Sequence, residues 1–505
     1  MPKHAYYVTT PIYYVNGRPH IGHVYASLAA DVLARYARTH GDAFFLTGTD
    51  EHGQKVANAA AAAGVSPQEW CDRLVETWKD VFARYEMSND DFIRTTEPRH
   101  QEVCLRVFEQ LKASGDVYVG KYEGWYCTED ETFWLEAKLV DGRCPTCGRA
   151  VTWLSEDNWF FALSRYRDRL LEYYRANPQW VRPERAYNEM MATLEGGLDD
   201  LCISRTNLTW GVPLPGGGVM YVWLDALLNY ISATGWSVDE GRFGSYWPAD
   251  VQVIGKEIAR FHTLIWPALL WALGLPLPKL VFAHGWITVE GEKMSKSLGN
   301  TADPLGIAER FGVDSVRYFL LREAPFGGDF SWGDEKVRQR HNSDLGNDLG
   351  NLLRRSLSML ERYRDGVVPR ANAASQLGAK FADLGERAGA AIRDLAFRDA
   401  LLAIWELVTA LNREIDDRKP WDLNKRDARE ELDALLYDLC EGLRWLSHLL
   451  APFMPAKALE IRRQLGLAGE PRGAWARELV WGGLAAGTRV APGEPLFPRL
   501  EPPPA

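Results

Sequence analysis

Residues 5–50 run AYYVTTPIYYVNGRPHIGHVYASLAADVLARYARTHGDAFFLTGTD. The first eleven are rich in β-branched and aromatic side chains, and Asn16-Gly17 ends them as a turn. From Ile21 to His40 the apolar residues Val24, Leu28, Val32, Leu33 and Tyr36 recur at helical spacing, and Gly41 is the stop signal. AFFLTGTD then reads as a buried strand. Strand, helix and strand in this order predict a parallel β-α-β unit, hence an α/β fold with ligands at the carboxyl ends of its strands. PHIGH (19–23) falls where the helix begins beside a strand end.

That position gives the two histidines a chemical reading. A helix N-terminus presents unpaired N–H groups and the positive end of the dipole, which favour an anion. Gly22 lets a flat ligand press on the backbone. His20 and His23 can donate hydrogen bonds to a phosphate as its charge develops. Taken alone, the same residues describe two surface histidines at a helix start.

The rest of the chain sets the context. Residues 1–116 read as the first half of a Rossmann-type domain. Residues 117–217 break the pattern with an alternating, turn-rich insertion that carries a cysteine cluster. Strand-like runs resume over 218–343 at VMYVWLDALL, DVQVIG and KLVFAHGWITV, as the second half of the same sheet. Residues 344–486 predict an α-helical bundle, because Leu345, Leu349, Leu352, Leu353 and Leu357 share a helix face. So do Leu401, Ile404, Leu407, Val408, Leu411 and Ile415, and later Leu432, Leu435, Leu436, Leu439, Leu443 and Leu446. Residues 487–505 are proline-rich and are expected not to pack as a domain.

Composition excludes several classes. No apolar run in the 505 residues is long enough to span a bilayer, and the start lacks a signal-peptide pattern. Seven cysteines make no disulfide framework, so a reducing, cytoplasmic setting is expected. The net charge of −10, from 58 basic and 68 acidic side chains, argues against a protein that simply coats nucleic acid. Local basic patches could still read one.

A second motif, KMSKS (293–297), places two lysines and two serines in a loop suited to gripping a polyphosphate. HIGH early and KMSKS late, at opposite ends of one parallel sheet, resemble the class I aminoacyl-tRNA synthetases. TTPIYYVNGRPHIGH, FLTGTDEHG, YVWLDALLNYISA, GKEIARFHTLIWPALL and KMSKSLGN together resemble the methionyl-tRNA synthetase family. The resemblance runs from about Ala5 into the bundle and thins after about residue 460. It implies ATP-dependent activation of L-methionine to an adenylate and its transfer to tRNA(Met), with Mg2+ accompanying ATP.

Methionine itself asks for particular groups. Its ammonium needs a carboxylate, and Asp50 ends the FLTGTD strand. Its unbranched thioether needs a soft aromatic pocket, for which Trp223, Tyr230, Phe261, His262 and Trp266 are suitable material. The resemblance implies that Tyr230 and the N–H of Ile12 face the sulfur, with Tyr14 and Trp223 shaping the pocket. It implies that His20, Gly22, His23, Lys293, Ser295 and Lys296 handle ATP, with His20, His23, Lys293 and Lys296 catalytic. Arg205 and Glu257 are implied as supports.

Cys127, Cys144 and Cys147 leave one place short of a four-cysteine knuckle, and Asp130 stands at that spacing. Three thiolates and a carboxylate could hold one Zn2+. A metal-free knuckle kept in shape by packing is the alternative. In the bundle, Asn351 and Arg355 share a helix face, and Pro420 and Trp421 are expected to close another helix. The resemblance places these four at the tRNA anticodon, where Trp421 could stack on an unpaired base. Without it, Trp421 is equally a staple over the bundle end. The family often adds a C-terminal dimerising domain; this sequence has the proline-rich tail there, so a monomer is expected. Two other functions fit less well. One is another class I synthetase, since only about 270 residues separate the signatures, too few for the large editing domain of the leucine group. The other is a non-catalytic tRNA-binding protein on the same fold, which intact HIGH and KMSKS oppose.

Overall fold

The computed structural model describes residues 5–130, 132–134, 136–206, 208–289, 292–293, 303–370, 375–471 and 473–502. They fall into two compact units. The first is built from Met1–Pro19, Phe44–Asp80 and Asn89–His284, the second from His20–Ala43, Val81–Ser88 and Gly285–Ala505.

A seven-stranded sheet forms the centre of the first unit. Along it run Tyr13–Tyr14, Ala43–Asp50, Tyr6–Thr9, Val251–Gly255, Val281–His284 and Val181–Arg182, with Asp91–Arg94 also paired to Ala43–Asp50. The pairings are parallel, for example Val8 opposite Val251 and Val253 opposite Phe282. Parallel strands are covered on both faces, which is why AFFLTGTD and VQVIG read as continuous buried runs. Gly48 is required where Asp91–Arg94 approaches: a Cβ there would lie 2.0 Å from the Ile93 carbonyl oxygen. Tyr6–Thr9 sits between Ala43–Asp50 and Val251–Gly255, both later in the chain, so the strand order runs outward in both directions from it. The crevice at the carboxyl ends of such strands is where α/β sheets bind ligands. Thr10, Pro11 and Ile12 leave one strand at that end, Asp50 ends its neighbour, and Lys256 follows the other.

The sequence expectation differs from the structure at VMYVWLDALL. Only Val219–Met220 is a strand; Val222–Leu227 is a helix. Val222, Leu224, Asp225, Ala226 and Leu227 are all buried, so no polar face remains to mark the helical period.

The insertion is a separate antiparallel sheet. Val117–Cys127 pairs with Thr152–Phe161 from Val117 opposite Phe161 to Tyr126 opposite Thr152. Thr132–Trp134 and Leu201–Cys202 flank that pair.

The second unit is mostly helical. Every leucine, isoleucine and valine expected on the inner faces of Asn351–Arg364, Phe397–Arg418 and Arg429–Leu449 is buried. The Ile21–Arg38 helix is fixed by a buried ion pair. Arg317, with no exposed surface, binds Asp31 at 2.6 Å and the carbonyl oxygens of Tyr85, Pro452 and Phe453 at 2.9, 3.1 and 2.8 Å. Burial pushes the Asp31 carboxyl up, but Arg317, Arg35 and Ser88 together hold it below its usual range. Removing either partner would strand a buried charge, at a cost of about 3–5 kcal/mol.

Residues 487–502 form no helix or strand, yet they are fastened down. Asn342 exchanges two hydrogen bonds of 2.9 Å with the backbone of Leu500, and His341 Nε2 lies 2.7 Å from the Pro498 carbonyl. Leu496 and Phe497 are buried. Prolines rule out regular structure here but leave carbonyls for side chains to meet.

Candidate active site

The Ile21–Arg38 helix is capped by its own two histidines. His20 Nδ1 accepts from the Gly22 N–H at 3.1 Å, and His23 Nδ1 accepts from the His20 N–H at 3.0 Å. The rings stack with centroids 3.6 Å apart. This is a capping box built from imidazoles in place of a hydroxyl and a carboxylate. Both Nδ1 atoms act as acceptors, so in each neutral ring the proton sits on Nε2. The cap therefore fixes the tautomers, with the proton of each stacked ring on Nε2 at a helix start. Gly22 is close-packed as well: a Cβ would lie 3.0 Å from the His20 ring.

In the first unit, the aromatic residues expected to line a pocket do gather. Trp223 stacks flat on Phe261 with centroids 3.7 Å apart. Tyr230 lies 5.9 Å from Trp266 and 5.8 Å from His262, centroid to centroid. His262 occupies a π-helical turn, Phe261–Ile265, a distortion frequent at functional sites. Its Nδ1 lies 3.0 Å from the Ile258 carbonyl and its Nε2 is 2.8 Å from the Tyr230 hydroxyl. Tyr230 in turn is anchored through its carbonyl, which accepts from the Tyr7 hydroxyl at 2.9 Å. Burial pushes the His262 pKa down to about 4, so the ring is neutral at physiological pH. Trp266 is fully buried, and its Nε1 has no hydrogen-bond partner among the described residues. Ile12 and Phe261 pack on the same core. Tyr14 pairs in register with Asp50, which is 7% exposed. The result is a neutral aromatic cluster with few polar atoms.

Comparison with known proteins gives these features a family. The family described as tRNA synthetases class I (M) matches residues 6–153 and 148–357. A methionine–tRNA ligase of Caldanaerobacter subterraneus subsp. tengcongensis is 48% identical, over 99% of this chain and 79% of that protein. The Thermotoga maritima methionine–tRNA ligase is 46% identical, over 98% and 80%. The methionyl-tRNA synthetase of Mycobacterium tuberculosis, solved in complex with methionyl-adenylate, superposes with a TM-score of 0.93 at 43% identity. That match covers 98% of this chain and 100% of the solved one. The chain belongs to the methionyl-tRNA synthetases.

In this methionyl-tRNA synthetase fold the insertion carries the cysteine cluster. The donor atoms of Cys127, Asp130, Cys144 and Cys147 all lie within 4.8 Å of one another. Cys127 Sγ is 3.4 Å from Cys147 Sγ and 3.6 Å from Asp130 Oδ2, and Cys144 Sγ is 2.8 Å from the same oxygen. Two thiolates on a tetrahedral zinc stand about 3.8 Å apart, and a thiolate and carboxylate about 3.5 Å. The donor set and most of its spacing fit one zinc, with the Cys144–Asp130 pair tighter than that geometry.

The four expected anticodon positions lie in the helical unit. Asn351 opens the Asn351–Arg364 helix, and Arg355, one turn on, pairs with Asp416 at 2.7 Å. Pro420 does not close a helix: Phe397–Arg418 ends first, and buried Pro420 opens Pro420–Lys425. Proline at a helix start loses nothing, because its missing N–H would be unpaired there. Trp421 is 42% exposed.

Lys293 contributes backbone to a short strand, Glu292–Lys293, paired with Ile287–Val289. Ser295 and Lys296 lie outside the described residues. Arg205 is buried, donates to the Ser204 carbonyl at 2.8 Å and lies over the Tyr221 ring at 4.2 Å. Sequence reasoning missed Glu51, His52, His100 and Asp225, all buried. Glu51 binds Arg94 through both oxygens, at 2.7 and 3.0 Å. For Glu51 and His52 the sequence signal was the polar DEHG ending a buried strand.

Among the described residues, no helix is long and apolar enough to cross a membrane.

Proposed function

We propose that this chain activates L-methionine with ATP–Mg2+ and transfers it to tRNA(Met). The observation that carries the proposal is the neutral aromatic lining built on Tyr230, His262, Trp223 and Phe261, which suits an uncharged thioether. Its kinship to methionine–tRNA ligases over nearly its full length supports the same reading.

The methionine carboxylate attacks the α-phosphate of ATP in line, forming the adenylate and releasing pyrophosphate. Asp50 holds the ammonium. The Nε2–H groups of His20 and His23 meet charge developing on phosphate oxygens, and they are already oriented by the cap, so no reorganisation is needed at the moment of reaction. Lys293, Ser295 and Lys296 hold the leaving pyrophosphate. A hydroxyl of the tRNA terminal adenosine then attacks the adenylate carbonyl, and AMP leaves. Catalysis on this account is positioning and electrostatics.

Cys127, Asp130, Cys144 and Cys147 would hold one Zn2+, which supplies a cross-link that keeps the insertion folded. Asn351, Arg355 and Trp421 face the anticodon, and buried Pro420 fixes the start of the helix that carries Trp421. A monomer working in the cytoplasm belongs to the same proposal. Charging of tRNA(Met) with labelled methionine tests the whole: acid-stable, base-labile label on tRNA is expected, and its absence with active tRNA would refute it.

A further inference from the structure

Three segments of the first unit meet at one buried carboxylate. Asp225 Oδ2 lies 2.6 Å from His52 Nδ1, and Oδ1 lies 2.7 Å from His100 Nε2. His100 Nδ1 continues to the Ser232 hydroxyl at 2.8 Å. Cys104 Sγ lies 3.3 Å from His100 Nε2 and 3.7 Å from Asp225 Oδ1. Asp225, His100 and Cys104 have no exposed surface, and His52 is 2% exposed.

The places these residues occupy in the chain give the cluster its meaning. His52 is two residues beyond Asp50, at the end of Ala43–Asp50. Asp225 is on Val222–Leu227, between Trp223 and Tyr230, and Ser232 follows Tyr230 on the next short helix. His100 is on Pro98–Ala113, which carries no residue of the pocket. The bond from His52 to Asp225 therefore joins the segment assigned to the methionine ammonium to the segment assigned to its side chain. The bond from His100 to Asp225 joins that carboxylate to a helix outside the pocket.

An apolar contact could pack these elements without desolvating a charge. A carboxylate instead offers two directional acceptors, which fix position and angle together. Burial alone would raise the Asp225 carboxyl, yet the two histidines bring it down to about 2, so it is ionised and accepts from both. Methionine is recognised at both ends, and the distance between its ammonium and its sulfur must match the distance between the two segments.

We propose that Asp225, through His52, is a positioning residue that sets the spacing between the ammonium site and the thioether pocket, and so governs methionine affinity and discrimination. The proposal rests on the function argued above.

Two single variants separate positioning from general stability. His52→Gln cuts the tie between the two halves of the site, whereas His100→Gln cuts the ties of the outer helix, to Asp225 and to Ser232. Both remove one buried hydrogen bond to the same carboxylate. In methionine-dependent ATP–pyrophosphate exchange, His52→Gln should raise the KM for methionine by about ten-fold or more, the factor carried by a hydrogen bond to a charged group. The KM for ATP should stay within about two-fold, and the preference for methionine over norleucine should fall. His100→Gln should lower the melting temperature without moving methionine KM or that preference. Equal shifts in both variants, or none in His52→Gln, would overturn the proposal. So would parallel changes in the KM values for methionine and ATP. Wild-type enzyme without methionine-dependent exchange would instead refute the function on which the proposal stands.

Discussion

The Tyr230 hydroxyl donates its proton to His262 Nε2, because His262 Nδ1 keeps its own proton for the Ile258 carbonyl. The order of that chain is fixed by a backbone carbonyl, which can only accept. Tyr230→Phe removes the donor and leaves a buried nitrogen without one, which costs roughly 1–3 kcal/mol. The variant should melt at lower temperature and bind methionine more weakly. Isothermal calorimetry with methionine would show an unchanged affinity if the hydroxyl were only a spacer.

The same pair predicts a pH dependence. Folding depresses the His262 pKa from its ordinary 6.5 to about 4, so below 6.5 the unfolded chain takes up a proton that the folded chain refuses. The associated stability is fully present above pH 6.5 and is lost as the pH falls towards 4. Thermal melts from pH 7 to 4 should show His262→Gln losing less stability than the wild type over that window. His448 is depressed to about 4 as well, so the wild type keeps part of its acid sensitivity in the variant.

His20→Asn should separate capping from catalysis. An asparagine amide oxygen can still accept a backbone N–H at the helix start, but nothing replaces the Nε2–H. The exchange rate should fall by about 10²–10³-fold, as for loss of one charge-stabilising donor, with the melting temperature nearly unchanged. A variant within about two-fold of wild type would show that His20 serves the cap alone.

Most of the large-scale fold could be read from the sequence, because it rests on patterns local to one element. The heptad-like leucines of Arg429–Leu449 and the strand-turn-helix of residues 5–38 are such patterns. Val222–Leu227 was not legible as a helix, because burial on all sides erases periodicity. The Asp225 cluster was not legible either: its partners lie 125 and 173 residues away in sequence, and no local rule connects them. The docking of the tail was not legible, because proline content was the only signal there, while its contacts come from Asn342 and His341, far upstream. At the HIGH motif the residues were apparent, but their mutual capping was not, because imidazoles seldom serve as caps.

Zinc in the insertion is open to direct measurement. Extensively dialysed protein should retain about one zinc per chain, and Asp130→Ala should lose it along with part of its thermal stability. A zinc content near zero in fully active protein would favour the metal-free knuckle.

Trp421→Ala tests the helical unit by itself. Stacking of a base on an aromatic side chain is worth roughly 1–3 kcal/mol, so kcat/KM for charging tRNA should fall by roughly five- to 150-fold. Methionine-dependent pyrophosphate exchange should be unaffected. Circular dichroism first establishes that the helices survive. Normal charging by a folded variant would make Trp421 a packing residue.

The most direct measurement is ATP–pyrophosphate exchange with the purified chain, run in parallel with methionine, leucine, isoleucine, valine and cysteine and without tRNA. The aromatic, neutral lining around Tyr230 and His262 and the paired donors of His20 and His23 predict rapid exchange with methionine and little with the others. No exchange with any amino acid, or faster exchange with leucine or cysteine than with methionine, would contradict the account.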